Sequence, residues 1–222
     1  MRFLNTIKNT ILEIIFPANC LGCGIKGKFL CRDCIVTSPP ADRESPDWTY
    51  PIFDYRHPPI KKTLWLLKYT NKKIIAEIFA EIIYDRILEE LSELRLIENF
   101  TNPIIIPIPL SRKRFKERGY NQVEIICKKI IQLDKKENFK LEKNILIKPT
   151  ETEHQARIKN KNARMKNIIG SFSLKEGSEN TLKGKNIILI DDILTTGATL
   201  TEAKKVLKKG GARKVIAFTI AH

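Results

Sequence analysis

The sequence predicts an α/β protein, a parallel sheet with helices on both faces, preceded by a small amino-terminal knuckle of cysteines. Three observations predict it. From residue 49 to the carboxyl end, short aliphatic runs alternate with amphipathic helical patterns, the rhythm of a sheet covered on both sides. One stretch, "NIILIDDILTTGATL" at 186–200, passes from an aliphatic run into two adjacent carboxylates and then into threonines around a glycine. Four of the five cysteines fall as two Cys-x2-Cys pairs.

A chain of 222 residues with 42% hydrophobic content has room for one well-cored domain and a small appendage. The division falls as 1–45 for an amino-terminal helix and knuckle, and 46–222 for the main domain. No apolar run approaches the roughly 18 residues that span a bilayer. The formal charge of +15 has two readings: a phosphate-bearing partner, or a lysine-rich composition spread over solvated helix faces. Locally, "SRKRFKER" at 111–118 sets Arg112, Lys113, Arg114, Lys116 and Arg118 against Glu117 alone, a density suited to phosphate.

Taken in order, "MRFLNTIKNTILEIIFP" places Phe3, Leu4, Ile7, Ile11, Leu12 and Ile15 at helical spacing, an amphipathic helix that docks on the body. Lys8, Asn9, Thr10 and Glu13 interrupt any signal-peptide core, and no small-residue cleavage site follows; a cytoplasmic protein is expected. "TSPPADRESPDW" is a linker or wrapped loop, and "TYPIFDY" an edge strand. "PIKKTLWLLKYTNKKIIAEIFAEIIYDRILEEL" holds two helices with a break near Thr70-Asn71. "PIIIPIPL" is a short buried strand that Pro107 and Pro109 stop, because they lack amide donors. "NQVEIICKKIIQL" is a helix and "NILIKP" another strand; "IKNKNARMKN" is a basic loop. "KNIILI" is a strand that ends at Ile190, followed by a helix beginning near Leu200. Leu200, Ala203, Val206 and Leu207 face inward there, and Gly210-Gly211 stops the helix. "KVIAFTIA" is the last strand.

Cys20 and Cys23, then Cys31 and Cys34, each form a tight turn that presents two thiolates, with Gly22 and Gly24 easing the first turn. That pattern suits a tetrahedral structural Zn²⁺ site with no open position. The competing readings are disulfides, which a reducing compartment disfavours, or a redox pair. Cys127, inside an apolar helical pattern, reads as a small buried hydrophobe.

Asp191 and Asp192 stand at the carboxyl end of a strand, the edge where open α/β sheets bind ligands. The following loop leads to a helix N-terminus, an anion site. Thr195, Thr196 and Thr199 add hydroxyls, and Gly197 permits close backbone approach. Carboxylates at one end and phosphate donors at the other have the polarity of a sugar phosphate. Capping alone explains one Asp or one Thr, not both carboxylates and three threonines.

With those residues in place, "IILIDDILTTGAT" at 187–199 resembles the phosphoribosyl pyrophosphate (PRPP) motif of type I phosphoribosyltransferases. "IPIPLSRKRFKERGYNQ" at 106–122 and "HQARIKNKNARMKNIIGSF" at 154–172 resemble segments of the ComF (competence protein F) family, and the knuckle and "FDYRHPPIKKTLWLLKY" fit it too. The resemblance implies the type I phosphoribosyltransferase fold. It also implies transfer of phosphoribosyl from PRPP to a nitrogen acceptor through an oxocarbenium-like transition state. On that model Asp191 and Asp192 bind the ribose 2- and 3-hydroxyls, and Thr195, Thr196, Gly197, Ala198 and Thr199 bind the 5-phosphate. Leu110, Ser111 and Arg112 face the pyrophosphate, and Mg²⁺ is held largely by PRPP oxygens and water. Arg157 and Arg164 either close over the leaving group or belong to a solvated basic loop. His154 reads as incidental, and Tyr120 and Asn121 as orienting the loop. No aromatic hood for a base stands out. The family resemblance equally implies a non-catalytic role in DNA uptake, with single-stranded DNA or competence and recombination proteins as partners.

Overall fold

The computed structural model describes residues 18–70, 72–149, 168 and 170–222. The expected amino-terminal helix and the segment with His154, Gln155, Arg157, Arg164 and Asn167 lie outside the described residues.

Among the described residues, fourteen elements follow one another. They are α1 (Arg32–Val36), β1 (Thr49–Phe53), α2 (Pro58–Tyr69), α3 (Lys73–Glu98), β2 (Ile104–Pro107), α4 (Arg112–Arg118) and α5 (Gln122–Leu133). After these come β3 (Lys140–Leu141), β4 (Leu146–Ile147), β5 (Ser173–Leu174), α6 (Glu179–Leu182), β6 (Asn186–Ile193), α7 (Ala198–Lys209) and β7 (Lys214–Ala221). Five strands form a sheet in the order β1-β7-β6-β2-β3. Every pair in it is parallel.

The aliphatic run of β6 is explained by its position: β6 lies inside the sheet and is covered on both faces. Ile188 and Ile190 point to one side, where Ile60, Leu64 and Leu67 of α2, the α3 stripe and Val123, Ile126 and Ile130 of α5 pack. Ile187 and Leu189 point to the other, against Leu200, Ala203 and Leu207 of α7. The α3 stripe of Ile75, Phe79, Ile83, Ile87 and Leu91 recurs every fourth residue and is wholly buried. The helix ends where Asn99 turns left-handed (φ 51°), and the Phe100 amide donates back to Leu94. Cys127 is fully buried. Cys20, Leu30 and Cys31 of the knuckle belong to the same cluster as α2 and α3.

Three local expectations change, and one segment for which the sequence predicts no element proves helical. The strand β6 does not end at Ile190 but runs to Ile193, because β7 still supplies partners there, Thr219 beside Asp191 and Ala221 beside Ile193. The "NILIKP" run stays out of the main sheet; its β4 pairs antiparallel with β5. The basic stretch after Ser111 is helical, capped by the Ser111 hydroxyl, which accepts from the Arg114 amide, and ended by left-handed Gly119. Finally, α7 starts at Ala198 rather than Leu200, with Gly197 (φ 74°) as the turn into it. Among the described residues no helix is long and apolar enough to cross a membrane.

Phe218 sits in β7, is fully buried, and stacks on Tyr50 of the edge strand at 4.9 Å. Phe218→Ala is expected to cost about 3–5 kcal/mol of unfolding free energy, measured by urea denaturation; Phe218→Leu loses markedly less.

Candidate ligand cleft and cysteine cluster

At the carboxyl edge of the sheet, adjacent residues of β6 must point to opposite faces. Asp192 follows Ile188 and Ile190 toward α2 and α5. Its Oδ2 accepts from Gln122 Nε2 at 2.6 Å, and its Oδ1 lies 3.1 Å from Lys68 Nζ. Both Gln122 and Asp192 are buried. A buried carboxylate is tolerable only when paired and hydrogen-bonded, and these two partners supply that. Asp191 is half-buried, and its Oδ1 accepts from the Asp192 amide at 2.8 Å. Burial, followed by the charge of Asp192, pushes Asp191 from the ordinary 3.8 up to about 7, with Lys68 and Lys148 pulling the other way.

The loop after β6 is shaped by short local bonds. The Thr196 hydroxyl accepts from the Ala198 amide at 3.4 Å, and the His222 ring meets the Thr195 carbonyl through Nε2 at 3.2 Å. Thr195 is exposed and Thr196 and Thr199 are half-buried, while Gly197 and Ala198 are buried. The first-turn amides of α7 have no acceptor within their own helix.

Asp191, Asp192, Thr195 and Thr199 line one cleft of about 410 Å³. Leu110 and Ser111 line it too, but Arg112 does not; Arg114 and Arg118, on the other side of α4, take its place. Arg112 is exposed. The reason is the helix that Ser111 caps, which turns alternate basic side chains away from the cleft. Tyr120 and Asn121 hold backbone. The Tyr120 hydroxyl donates to the Leu67 carbonyl at 2.7 Å. Asn121 donates to Ile108 O at 3.0 Å and accepts from the Val123 amide.

Several cleft residues were not foreseen: Lys68, Gln122, Lys148, Tyr55, Trp65 and Tyr69. The aromatic three form a wall of the cleft where no aromatic hood stood out in the sequence. Trp65 and Tyr69 sit one helical turn apart on the side of α2 opposite its buried residues. Two large aromatics on the polar face of a helical pattern were the available signal. Gln122 had none, because its importance lies in reaching Asp192 across the fold.

In the knuckle, the sulfur atoms of Cys20, Cys23, Cys31 and Cys34 all lie within 4.8 Å of one another. A tetrahedral ion with sulfur ligands at about 2.3 Å needs a comparable spread, so these four residues are positioned to bind a metal ion. A Cβ on Gly22 would stand 2.5 Å from Cys34 Sγ, which explains glycine there by close approach. Gly24 is instead required by its backbone, φ 80°. Burial raises the Cys20 thiol, but amides of Cys23, Cys31 and Gly22 outweigh it and bring it down to about 6. Its hydrogen bond with Cys31, then burial, pushes Cys34 up to about 12. Without a cation the cluster resists holding several thiolates.

A phosphoribosyl transferase domain family matches residues 134–222. Competence protein F of Haemophilus influenzae is 28% identical over 194 residues, covering 86% of this chain and 78% of that protein. The DNA utilization protein YhgH of Escherichia coli is 27% identical over 192 residues, 83% and 74% of the two chains. ComFC of Bacillus subtilis is 36% identical over 118 residues, 53% of this chain and 43% of its relative. Among solved structures, a Trypanosoma cruzi hypoxanthine phosphoribosyltransferase matches with a TM-score of 0.38 at 10% identity, over 66% of this chain and 64% of that one.

Asp191 gives a pH dependence with a definite sign. Its folded value, about 7, lies above the ordinary 3.8, so between those values the folded state binds more protons than the unfolded. Stability therefore falls as pH rises through that window, and the loss is complete above about 7. Thermal melts of wild type and Asp191→Asn between those pH values check this: the variant gains on wild type as pH rises.

Proposed function

Because the chain belongs to the competence protein F family and carries a phosphoribosyl transferase domain, we propose that its cleft binds PRPP and transfers the phosphoribosyl group to a nitrogen acceptor. The observation that carries this is the convergence, in one cleft, of the β6 acid pair, the Thr195–Thr199 loop and the guanidinium groups of Arg114 and Arg118. A carboxylate offers about four lone-pair sites. Gln122 and Lys68 use two on Asp192, which leaves room for a ribose hydroxyl; Asp191 receives the other. The 5-phosphate lies over the Thr195–Thr199 loop and the first amides of α7. Pyrophosphate faces Leu110 and Ser111, with Arg114 and Arg118 rather than exposed Arg112 meeting its charge. In the transition state the acid pair favours positive charge developing on the sugar ring.

Mg²⁺ enters this reading with PRPP, held by phosphate oxygens and water, since Lys68 already occupies one side of Asp192. The ion of the cysteine cluster is Zn²⁺ in a structural role, because four thiolates close its coordination. The reading divides the chain into a knuckle unit, 1–45, and a transferase-like unit, 46–222, and takes the protein to be cytoplasmic.

A second reading has its own observation. Phe115 is 49% exposed on α4, between exposed Arg112, Lys113 and Lys116, an aromatic set among cations as in single-strand binding surfaces. The relatives' names refer to competence and DNA utilization. On this reading the basic surface engages single-stranded DNA, and the PRPP site serves as a sensor.

Calorimetric titration of Mg²⁺-PRPP into wild type and an Asp191→Asn/Asp192→Asn variant tests the first reading. Heat from wild type and at least tenfold weaker binding by the variant is expected; equal titrations sink it. Metal analysis of protein purified without chelator is expected to give one zinc per chain, and Gly22→Ala to release it more readily to a chromogenic chelator. For the second reading, single-strand binding at low salt is expected to weaken steeply with added salt and with Arg112→Ala/Lys116→Ala. No binding at low salt removes that reading.

A further inference from the structure

The PRPP reading leaves one wall of the cleft without work. Trp65 is 57% exposed and Tyr69 56%, although their helix buries Ile60, Leu64 and Leu67 on its other face. Aromatics of this size normally bury most of their surface. Here two stand side by side, ring centroids 5.3 Å apart and inclined by 42°, and both line the cleft together with Tyr55.

Their placement is fixed by the helix. Residues three and four apart share a face, so Trp65, Lys68 and Tyr69 stand together. Lys68 reaches Asp192 at 3.1 Å, which anchors the aromatic pair beside the acid pair. The Arg118 guanidinium lies over the Tyr69 ring, 5.2 Å from its centroid, so cations rim the platform. Aromatic faces with an arginine beside them are the equipment for stacking a flat, electron-rich ring. A cationic aliphatic amine suits the place badly: Lys68, Arg114 and Arg118 repel it, and Arg118 already covers Tyr69.

We infer that Trp65 and Tyr69 form a stacking subsite for a planar heteroaromatic ring of nucleobase type, held next to the acid pair. As the seat of an acceptor, the subsite rests on the PRPP reading; as a stacking site, it stands without it. The ring has two sources, a free base or a base of a single DNA strand, and the chemistry of recognition is the same.

The test uses the full zinc-loaded chain. Adenine, uracil and oligothymidylate are each titrated while tryptophan fluorescence is read, with equilibrium dialysis as a second measure. Binding of a ring probe is expected to weaken about tenfold or more in Trp65→Ala and to be largely retained in Trp65→Phe, with thermal melts verifying that both variants fold. Free bases binding with this dependence support the subsite and assign it to an acceptor; oligothymidylate alone binding so supports it and assigns it to a strand. No binding by any probe, or binding indifferent to Trp65, overturns it. Mg²⁺-PRPP heats on the wild type report separately on the PRPP reading. PRPP binding without ring binding defeats this inference alone, and ring binding without PRPP heat defeats that reading alone.

Discussion

The carboxylate of Asp192 lies at the end of a strand inside the sheet, with Gln122 of α5 on one oxygen and Lys68 of α2 on the other. Three elements from distant parts of the chain meet at this one group. Removing either partner of a buried charge is costly, about 3–5 kcal/mol, so the group ties the cleft walls to the sheet. The position of α2 sets where Trp65 and Tyr69 stand, and the start of α5 is set by Asn121, which grips Ile108 at the end of β2. The Tyr120 hydroxyl closes the arrangement by binding the Leu67 carbonyl of α2. The run Tyr120-Asn121-Gln122 thus reaches a helix, a strand end and the acid pair in turn.

The same geometry separates two neighbours that look alike in the sequence. Strand alternation sends Asp192 toward α2 and α5, where it finds a cation and an amide. Asp191 receives a backbone amide, and the nearer cations only partly offset its burial and the charge beside it. Asp192 is committed to architecture and keeps spare acceptor sites; Asp191, beside it in the same cleft, is raised from its ordinary value by burial and by its neighbour's charge. Two adjacent acids therefore have different electrostatic characters without any difference in residue type. The knuckle depends on the same body. Its buried Cys20, Leu30 and Cys31 pack with α2 and α3, and the Lys72 ammonium lies 4.4 Å from the centroid of the Phe29 ring.

Much of the fold was legible because it is written in periodicities. The continuous aliphatic run of β6, the α7 pattern of Leu200, Ala203 and Leu207, and the break at Thr70 all appear where their spacing put them. Short pieces were not legible. β3 and β4 have two residues each, too few for a period, and their pairing depends on what lies alongside. The helix over Arg112–Arg118 has no apolar period to announce it, and only its caps, Ser111 and Gly119, mark its ends. In the site, Asp191, Asp192 and the threonine loop were legible because their chemistry is contiguous. Lys68 and Gln122 were not, because each acts on Asp192, far away in the chain; Trp65 and Tyr69 offered only the signal of two aromatics on a polar helix face.

The amino-acid order alone set the parallel α/β pattern, the paired thiolates, and the strand–acid–threonine unit. All of these are local, and local backbone geometry is enough to express them. The tertiary structure decided which arginines of α4 face the cleft, where a cation meets Asp192, and that an aromatic wall stands beside the acids. Those are matters of packing angle and distance between elements, fixed by the burial of α2, α3 and α5 on one face of the sheet. Spacing along the chain carries no record of them.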